Sequence, residues 1–454
     1  MSTLLVRNIH TLVTMDAQRR ELRHAAMRIA GPAIEWIGDS DAAAAMQADA
    51  VLDLKDRHVV MPGFINTHHH FYQVLTRAIR AAQSAELFNW LVQLYPLWAR
   101  MDPECIRVSA RLAAAELLLS GCTTSSDHLY LFPNGSTLDD EIEAVQGIGL
   151  RFHAARGSMS VGTSLGGLPP DSVVEDEAAI LRDSQRLIER YHDNSRHAML
   201  RMTLAPCSPF SVSPELMRQS ARLARQYPGV RLHTHLAESE SDVSFSRARF
   251  GMSPREFAES VEWLGPDVWH AHCVKLAAPD IIRFAQTGTG VAHCPCSNMR
   301  LGSGIAPVSQ LRAHDVPLGL GVDGSASNDV NNMLHEARVA LLLARVAAGD
   351  PRVMTPRQAL ELGTLGGARV LGRDDIGHLA VGMSADFIAL DIDRPQFAGA
   401  HADPVAALLL TQPTSVDFSY VNGSCRVADG ELVGVDLRVL AAQVNSAARG
   451  LLPA

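Results

Sequence analysis

The sequence lacks the features that typify membrane, secreted and nucleic-acid-binding proteins. No apolar run approaches the roughly 20 residues that span a bilayer, and Arg7, Asn8 and His10 interrupt the N-terminal stretch before a signal-peptide core forms. Lysine and arginine total 40 against 49 aspartates and glutamates, and a net charge of -9 gives nucleic acid little electrostatic attraction. The seven cysteines are odd in number and scattered, which is typical of reduced thiols. We therefore expect a cytoplasmic protein that binds neither membranes nor nucleic acid.

Internal repeats, low-complexity tracts and charge runs are also absent from the sequence. A hydrophobic fraction of 47% with 20% charged residues is typical of a globular enzyme. Because 454 residues exceed one small core, the length predicts two or three domains, or one large barrel with additions.

The two ends of the chain show the same sequence pattern, which predicts short strands separated by polar turns. Residues 1–58 and residues 378–454 would each be too small to fold securely apart. We therefore expect them to form one composite β-sandwich domain.

Between these ends, residues 59–377 alternate short apolar runs with helical stretches such as "SPELMRQSARLARQY". Eight such runs end in polar or ionisable positions, near His70, His128, Arg156, Pro206, His235, His272, His293 and Asp323. The pattern predicts an α/β fold, a (β/α)8 TIM-type barrel with its active site at the C-terminal ends of the strands. The stretch 157–177, rich in Gly, Ser and Pro, would follow the third strand as a lid or substrate loop, or as a plain surface excursion.

Three adjacent histidines, His68, His69 and His70 in "PGFINTHHHFYQ", directly follow an apolar run. Successive side chains of a strand point to opposite sides, so His68 and His70 share one face while His69 faces away. Two imidazoles at this spacing, at the catalytic end of a barrel, make half of a metal site.

Later strand ends supply partners for that half site. Imidazoles stand in the runs "VRLHTHLAESE", "VWHAHCV" and "VAHCPCSN", and Glu238 follows His235 by three residues. Asp323 closes the apolar run "LGLGVDGSASND" with no nearby cation, and a buried lone carboxylate is costly by several kcal/mol unless it pairs or binds a metal. Three imidazoles and one carboxylate at four strand ends indicate a divalent metal site.

Five motifs occur in a fixed order: "PGFINTHHH", "HLAESE", "HAHCV", "HCPCSNMRLGSGIAP" and "GVDGSASND". Together they resemble the amidohydrolase superfamily, in the branch that contains cytosine, guanine and S-adenosylhomocysteine deaminases and s-triazine hydrolases. The resemblance covers nearly the whole chain. It implies four metal ligands, His68, His70, His235 and Asp323.

The resemblance also implies roles in the reaction. Glu238 would shuttle a proton to the substrate ring, and His272 would hydrogen-bond the attacking water or its adduct. Asp323, besides binding the metal, would take the proton of the attacking water.

We expect a single divalent metal. Binuclear members of the family need a bridging carboxylate, often a carboxylated lysine at the end of strand four. Here strand four, "MLRMTLAPCS", contains no Lys, Glu or Asp, and the only two lysines, Lys55 and Lys275, lie elsewhere. Zinc is the first expectation and iron the second, since three histidines and one aspartate suit both metals.

The remaining histidines receive structural interpretations. We expect His69 to face outward, and His233 and His270 to pack in the core one layer below the metal ligands. His128 and His293 also end apolar runs. We place both outside the metal shell, with His293 a candidate to orient a ligand.

The substrate is predicted less directly. Gln73 lies one turn past the metal histidines, where its amide could donate to and accept from a ring edge, or be a solvated residue at a helix start. S-adenosylhomocysteine deaminases carry a histidine where this chain has Cys207, which disfavours a nucleoside substrate.

The resemblance implies hydrolytic deamination of a small heterocycle by a homo-oligomer. The first expectation is an oxidised purine base, 8-oxoguanine, converted to urate and ammonia. The alternatives are a hydroxyatrazine-type s-triazine amino- or chlorohydrolase, a guanine- or cytosine-type deaminase, and a catalytically silent binding homologue.

Overall fold

The computed structural model describes residues 2–411 and 414–452. Its strands are β1 (Thr3–Val13), β2 (Glu21–Ala30), β3 (Ala33–Asp39), β4 (Ala50–Asp53), β5 (His58–Pro62), β6 (Phe64–Asn66), β7 (Cys122–Leu129), β8 (Arg151–Ser158), β9 (Leu200–Pro206), β10 (Arg231–Leu236), β11 (Val268–His272), β12 (Gly290–His293), β13 (Leu318–Leu320), β14 (Phe387–Asp391), β15 (Phe418–Val421), β16 (Ser424–Ala428) and β17 (Glu431–Leu432).

Its α-helices are α1 (Leu87–Trp98), α2 (Pro103–Leu119), α3 (Leu138–Ile148), α4 (Glu177–Tyr191), α5 (Pro214–Ala224), α6 (Glu240–Phe250), α7 (Pro254–Ser260), α8 (Ala278–Thr287), α9 (Pro295–Arg300), α10 (Val308–Ala313), α11 (Met333–Ala348), α12 (Pro356–Glu361), α13 (Gly367–Val370), α14 (Pro404–Leu410) and α15 (Leu437–Leu451). Within the described ranges, no helix combines the length and the apolar character needed to cross a membrane.

Strands from both chain ends form one mixed sheet of nine strands. Its order is β17-β16-β15-β14-β5-β1-β2-β3, and β4 pairs in parallel with β1. β14 runs antiparallel to β5, with Phe387 opposite Pro62. The shared domain of the two chain ends is therefore confirmed. The expected limits of this domain stay a prediction. Strand β5 spans the expected boundary between residues 58 and 59.

Strands β6 to β13 close into a parallel barrel of eight strands. The barrel closes where Leu320 of β13 pairs with Asn66 of β6. Each strand ends at or near one of the polar positions that the sequence marks, so the predicted (β/α)8 architecture is confirmed. His68, His69 and His70 differ from expectation in one respect, since they follow the short strand β6 instead of lying on it.

Helix starts after the barrel strands follow ordinary capping chemistry. Asp102 accepts a hydrogen bond from the backbone N–H of Cys105 at 2.9 Å, and Ser213 accepts one from Leu216 at 3.0 Å. Each cap is followed by a proline in the first helical turn, where the missing N–H removes no intrahelical bond. These caps fix where the two helices begin.

The Gly- and Ser-rich stretch 157–177 is tied down at its base. Arg156 donates to Glu175 Oε1 at 2.7 Å and to Asp183 Oδ2 at 2.9 Å. Near the start of the stretch, Met159 Sδ accepts a hydrogen bond from the Tyr95 hydroxyl at 3.7 Å. The loop therefore buttresses α1, the helix that carries Tyr95.

Candidate active site

Four side chains, from two strand ends and the loop after β6, converge at the C-terminal mouth of the barrel. His68 Nε2 lies 3.2 Å from Asp323 Oδ1, and His70 Nε2 lies 3.4 Å from the same oxygen. His70 Nε2 lies 3.1 Å from His235 Nε2. The structure thus brings together all four side chains that the resemblance names as metal ligands.

The outer nitrogens of two of these imidazoles contact backbone carbonyls. His70 Nδ1 lies 2.7 Å from the carbonyl oxygen of His128, and His235 Nδ1 lies 2.5 Å from that of Cys207. A carbonyl oxygen only accepts, so both Nδ1 atoms carry the proton and both Nε2 atoms carry a lone pair. The close approach of the two Nε2 atoms is therefore a meeting of two lone pairs and not a hydrogen bond.

A relay of contacts fixes the third imidazole in the same way. His233 Nδ1 lies 3.1 Å from the carbonyl oxygen of Trp269, so His233 Nε2 is an acceptor. That acceptor lies 2.8 Å from His68 Nδ1, which must then carry the proton. His68 Nε2 is left with a lone pair and has no hydrogen-bond partner among the described residues. His233 is thus more than the packing residue that the sequence predicts.

The protonation states agree with a cation site. Burial, followed by His70 and His272, lowers the pKa of His235 to about 3, and burial also lowers the pKa of His70. Burial alone would raise the pKa of Asp323, but His68, His272 and His70 hold it well below its usual value. Three neutral lone pairs and one carboxylate thus face each other with no donor between them. This arrangement fits one divalent metal ion, and nitrogen and oxygen donors suit zinc or iron.

Two hydroxyls hold the outer oxygen of Asp323. Asp323 Oδ2 accepts hydrogen bonds from Ser297 Oγ at 2.5 Å and from Ser327 Oγ at 3.0 Å. Asp323 Oδ1 accepts one from the backbone N–H of Gly324 at 2.7 Å. The backbone of Asp323 is left-handed, with φ of 61°, a conformation that non-glycine residues adopt mainly where the surrounding structure enforces it. The carboxylate is therefore fixed in orientation.

Glu238 and His272 lie beside this cluster. His272 Nε2 lies 3.5 Å from Glu238 Oε2 and 4.0 Å from Asp323 Oδ2. Burial raises the pKa of Glu238 to about 7, although His272 acts to lower it. His272 Nδ1 faces Asn298 Oδ1 at 3.0 Å and carries a proton there. Burial alone would lower the pKa of His272, but Glu238 and Asp323 raise it above its usual value, so Nε2 can carry a proton as well. Glu238 is thus a carboxyl group that can give up and regain a proton near neutral pH.

A small cavity opens beside these groups. Its polar lining includes Gln73, Cys207 and Ser327 as well as the groups described above. The rest of the wall is apolar or aromatic and comes largely from α1, with Leu87, Trp90, Leu91, Tyr95, Tyr130, Phe210 and Leu301. Such a cavity suits a flat heterocycle held by few polar contacts.

Gln73 is 1% exposed and lines this cavity, so it is not a solvated side chain. Its Oε1 accepts a hydrogen bond from the backbone N–H of Ala326 at 3.3 Å, which identifies the oxygen end of the amide. The side chain lies directly over Gly324, where a Cβ atom would stand 1.9 Å from Oε1. With its oxygen engaged, the amide offers the cavity its N–H donors.

The remaining histidines divide into several environments. His69 is buried, its Nδ1 accepts from the backbone N–H of His70 at 2.7 Å, and it lies 3.9 Å from Asp127. His270 contacts the carbonyl oxygen of Trp263 at 3.0 Å in the core. His293 is buried, and its Nδ1 has no hydrogen-bond partner among the described residues.

His128 lies closer to the cluster than the sequence suggests. One of its nitrogens is within 4.8 Å of nitrogens of His68, His70 and His235. Its ring is nearly parallel to that of His235, with centroids 5.0 Å apart, and its Nε2 lies 2.7 Å from the carbonyl oxygen of Ala205. His128 therefore forms part of the floor beneath the ligands.

Sequence reasoning missed four supporting side chains: Ser297, Ser327, Asn298 and Asp242. Asp242 accepts from the backbone N–H of Glu238 at 2.9 Å, and burial raises the pKa of Asp242 to about 6. The only available signal was their position, since each stands within or just after one of the five motifs.

The geometry defines a class of protein, a barrel hydrolase that holds a divalent metal at its strand ends. The chain belongs to the amidohydrolase family, which it matches over residues 59–429. This confirms the resemblance and identifies the chain as a hydrolytic enzyme.

Several relatives match over most of their length. The chain is 50% identical to 8-oxoguanine deaminase of Pseudomonas aeruginosa over 87% of this chain and 88% of that protein. It is 39% identical to hydroxydechloroatrazine ethylaminohydrolase of Pseudomonas sp. strain ADP, over 86% and 82% of the two chains. The crystal structure of atrazine chlorohydrolase from Arthrobacter aurescens TC1 with zinc superposes with a TM-score of 0.93 at 33% identity, over 98% of this chain and all of that one. Both the deaminase and the triazine hydrolase branches are thus represented.

Proposed function

We propose that the chain is a metal-dependent deaminase that converts 8-oxoguanine and water to urate and ammonia. The observation that carries this proposal is a buried carboxyl, Glu238, with a pKa of about 7, beside three imidazole lone pairs and the Asp323 carboxylate at the edge of a largely apolar cavity. The 50% identity to an 8-oxoguanine deaminase supports this substrate.

The proposed cofactor is one zinc ion, held by His68, His70, His235 and Asp323. A divalent metal at this site supplies Lewis-acid activation of the attacking water. The zinc complex of the related atrazine chlorohydrolase supports the choice of metal. Strand β9, "LRMTLAP", offers no carboxylate that could bridge a second ion.

Proton movements are assigned to this chain's own residues. Asp323, with its Oδ2 held by two serine hydroxyls, takes the proton of the attacking water. Glu238 donates a proton to the ring nitrogen next to the attacked carbon. His272 hydrogen-bonds the new oxygen of the tetrahedral adduct. Collapse of the adduct breaks the carbon–nitrogen bond, and the amino group leaves as ammonia after a second proton transfer.

Gln73 is the proposed substrate contact. Because its oxygen is engaged by Ala326, it donates from Nε2 to an oxo group or an unprotonated ring nitrogen. This narrows the expectation from the sequence, in which the amide both donates and accepts. An oxidised purine presents such acceptors around its edge.

An s-triazine substrate is the second candidate, favoured by the two triazine-hydrolase relatives. A screen of ammonia, chloride and alkylamine release over oxopurines, pterins, pyrimidines and s-triazines separates the two. We expect 8-oxoguanine to give the highest kcat/KM, with guanine and cytosine poorer. Turnover of s-triazines without any turnover of oxopurines would refute the purine assignment while leaving the metal mechanism intact. The homo-oligomer remains a prediction, and gel filtration with light scattering would measure it.

A further inference from the structure

Four arginines gather at the N-terminal end of the barrel, opposite the active site. Arg151 and Arg231 are the first residues of β8 and β10, and Arg201 is the second residue of β9. Arg373 joins them from the segment after α13. Arg231 shares its strand face with His233 and His235, so this face points into the barrel.

Two of the four guanidinium groups are neutralised by buried carboxylates. Arg151 makes a two-pronged contact with Asp386, with both N–O distances 2.9 Å. Arg373 makes a similar contact with Asp375, at 2.7 and 2.8 Å. These bidentate pairs show how the fold compensates an arginine at this depth.

Arg201 and Arg231 have no such partner. Arg201 is 7% exposed, and within the described part of the chain it donates only to the carbonyl oxygens of Gly372 and Ser195, both at 3.4 Å. Arg231 donates to the carbonyl oxygen of Pro266 at 2.7 Å. The Nε atoms of both arginines are buried without a hydrogen-bond partner among the described residues.

The carboxylate that acts electrostatically on Arg231 is already engaged in another ion pair. Asp267, which follows Pro266, forms its ion pair with Arg225 at 2.8 Å. Within residues 2–411 and 414–452, neither Arg201 nor Arg231 forms an ion pair.

The positive charge of the four arginines acts on a neighbouring imidazole. His153 is buried, and its Nε2 lies 3.5 Å from Arg373 Nη1. Burial, then Arg373, Arg201, Arg231 and Arg151 in that order, lowers the pKa of His153 well below its usual value. Burial lowers the pKa of Arg201 and of Arg231 to about 10, so both stay charged at neutral pH.

We propose that Arg201 and Arg231 form a binding site for a small inorganic oxyanion of the phosphate class at the floor of the barrel. Strands β9 and β10 are neighbours, with Arg231 opposite Thr203, so the two guanidinium groups lie on adjacent strands. A guanidinium fork matches the oxygen pairs of phosphate, and the two unpartnered Nε–H groups supply donors for it. The anion supplies the negative charge that Asp386 and Asp375 supply to the other two arginines.

The test measures the thermal midpoint of the metal-loaded protein during a titration with sodium phosphate, with sodium gluconate keeping the ionic strength constant. We expect a saturable rise in Tm for the wild type, since a ligand that binds only the folded state stabilises it by mass action. Arg201→Gln should abolish the saturable part. The matched control is Arg222→Gln, at an exposed arginine paired with Glu262, and it should behave as wild type.

A second measurement covers the possibility that Arg201→Gln does not fold. Equilibrium dialysis with radiolabelled phosphate should detect a saturable site in the wild type. In Arg231→Lys, which keeps the charge and loses the fork, that site should bind at least about tenfold more weakly. Phosphate bound at the metal centre would be unaffected by this change. Any of three results would overturn the proposal. They are equal phosphate saturation in wild type and Arg231→Lys, an unsaturable Tm response shared by all variants, and saturation with chloride alone.

Discussion

Replacing Glu238 by glutamine separates metal binding from proton transfer. The amide preserves the shape of the side chain but removes the transferable proton. Positioned general acid–base groups contribute about 10²- to 10⁴-fold to rate, or about 3 to 5 kcal/mol of transition-state stabilisation. We therefore expect Glu238→Gln to lower kcat/KM for 8-oxoguanine by that factor. Metal content should not change, because Glu238 is outside the four-residue cluster whose lone pairs converge.

The assay combines ammonia release with elemental analysis of the same washed samples. Glu240→Gln is the matched control, since Glu240 is exposed and begins α6 just beyond the site. The pH profile adds a second readout. If the protonated form of Glu238, with its pKa of about 7, is the active one, wild-type kcat/KM is fully present below that pKa and falls as pH rises through it. Near-normal kcat in Glu238→Gln, or the same alkaline fall in its residual activity, would remove Glu238 from the mechanism.

Three further outcomes follow from the geometry. His70→Ala should lose metal and activity, whereas His69→Ala should keep its metal, because of these two residues only His70 faces the cluster. Elemental analysis should show one equivalent of metal in the wild type, and two equivalents would contradict the single site. Gln73→Leu should lower kcat/KM by about 10- to 100-fold, since an unpaired substrate edge costs about 1 to 3 kcal/mol, and an unchanged value would remove Gln73 from the substrate contacts. His233→Phe should weaken metal affinity by about 10- to 100-fold, because it removes the acceptor that fixes His68. Competition with a chelator measures this affinity, and an unaltered affinity would show that the relay plays no part in metal binding.

The fold was predictable because local pattern and global architecture agree. Each barrel strand is a short apolar run that stops at a polar residue, and parallel strands bring those stops to one rim. The alternation argument picked His68 and His70, which do lie beside Asp323, but the route to this pair was imperfect. The structure places both residues after β6, where loop geometry and not strand pleat directs them into the site.

The supporting contacts could not be predicted in the same way. His233 becomes a partner of His68 only because the loop after β6 and strand β10 face each other across the barrel, a relation that no local pattern encodes. Ser297 reaches Asp323 from helix α9, and Ser327 reaches it from the loop after β13. The uncompensated charge of Arg201 depends on where Asp386, Asp375 and Asp267 point, which the sequence does not show.

The burial of the three cluster histidines has a consequence for how the protein acquires its metal. In an ordinary histidine site, protonated imidazoles must release protons before they bind a cation, and affinity therefore falls steeply in acid. Here His235 has a pKa of about 3, and burial also keeps His68 and His70 neutral. Loading should release almost no protons from the imidazoles, and the site should retain its metal under mildly acidic conditions that strip simpler histidine clusters.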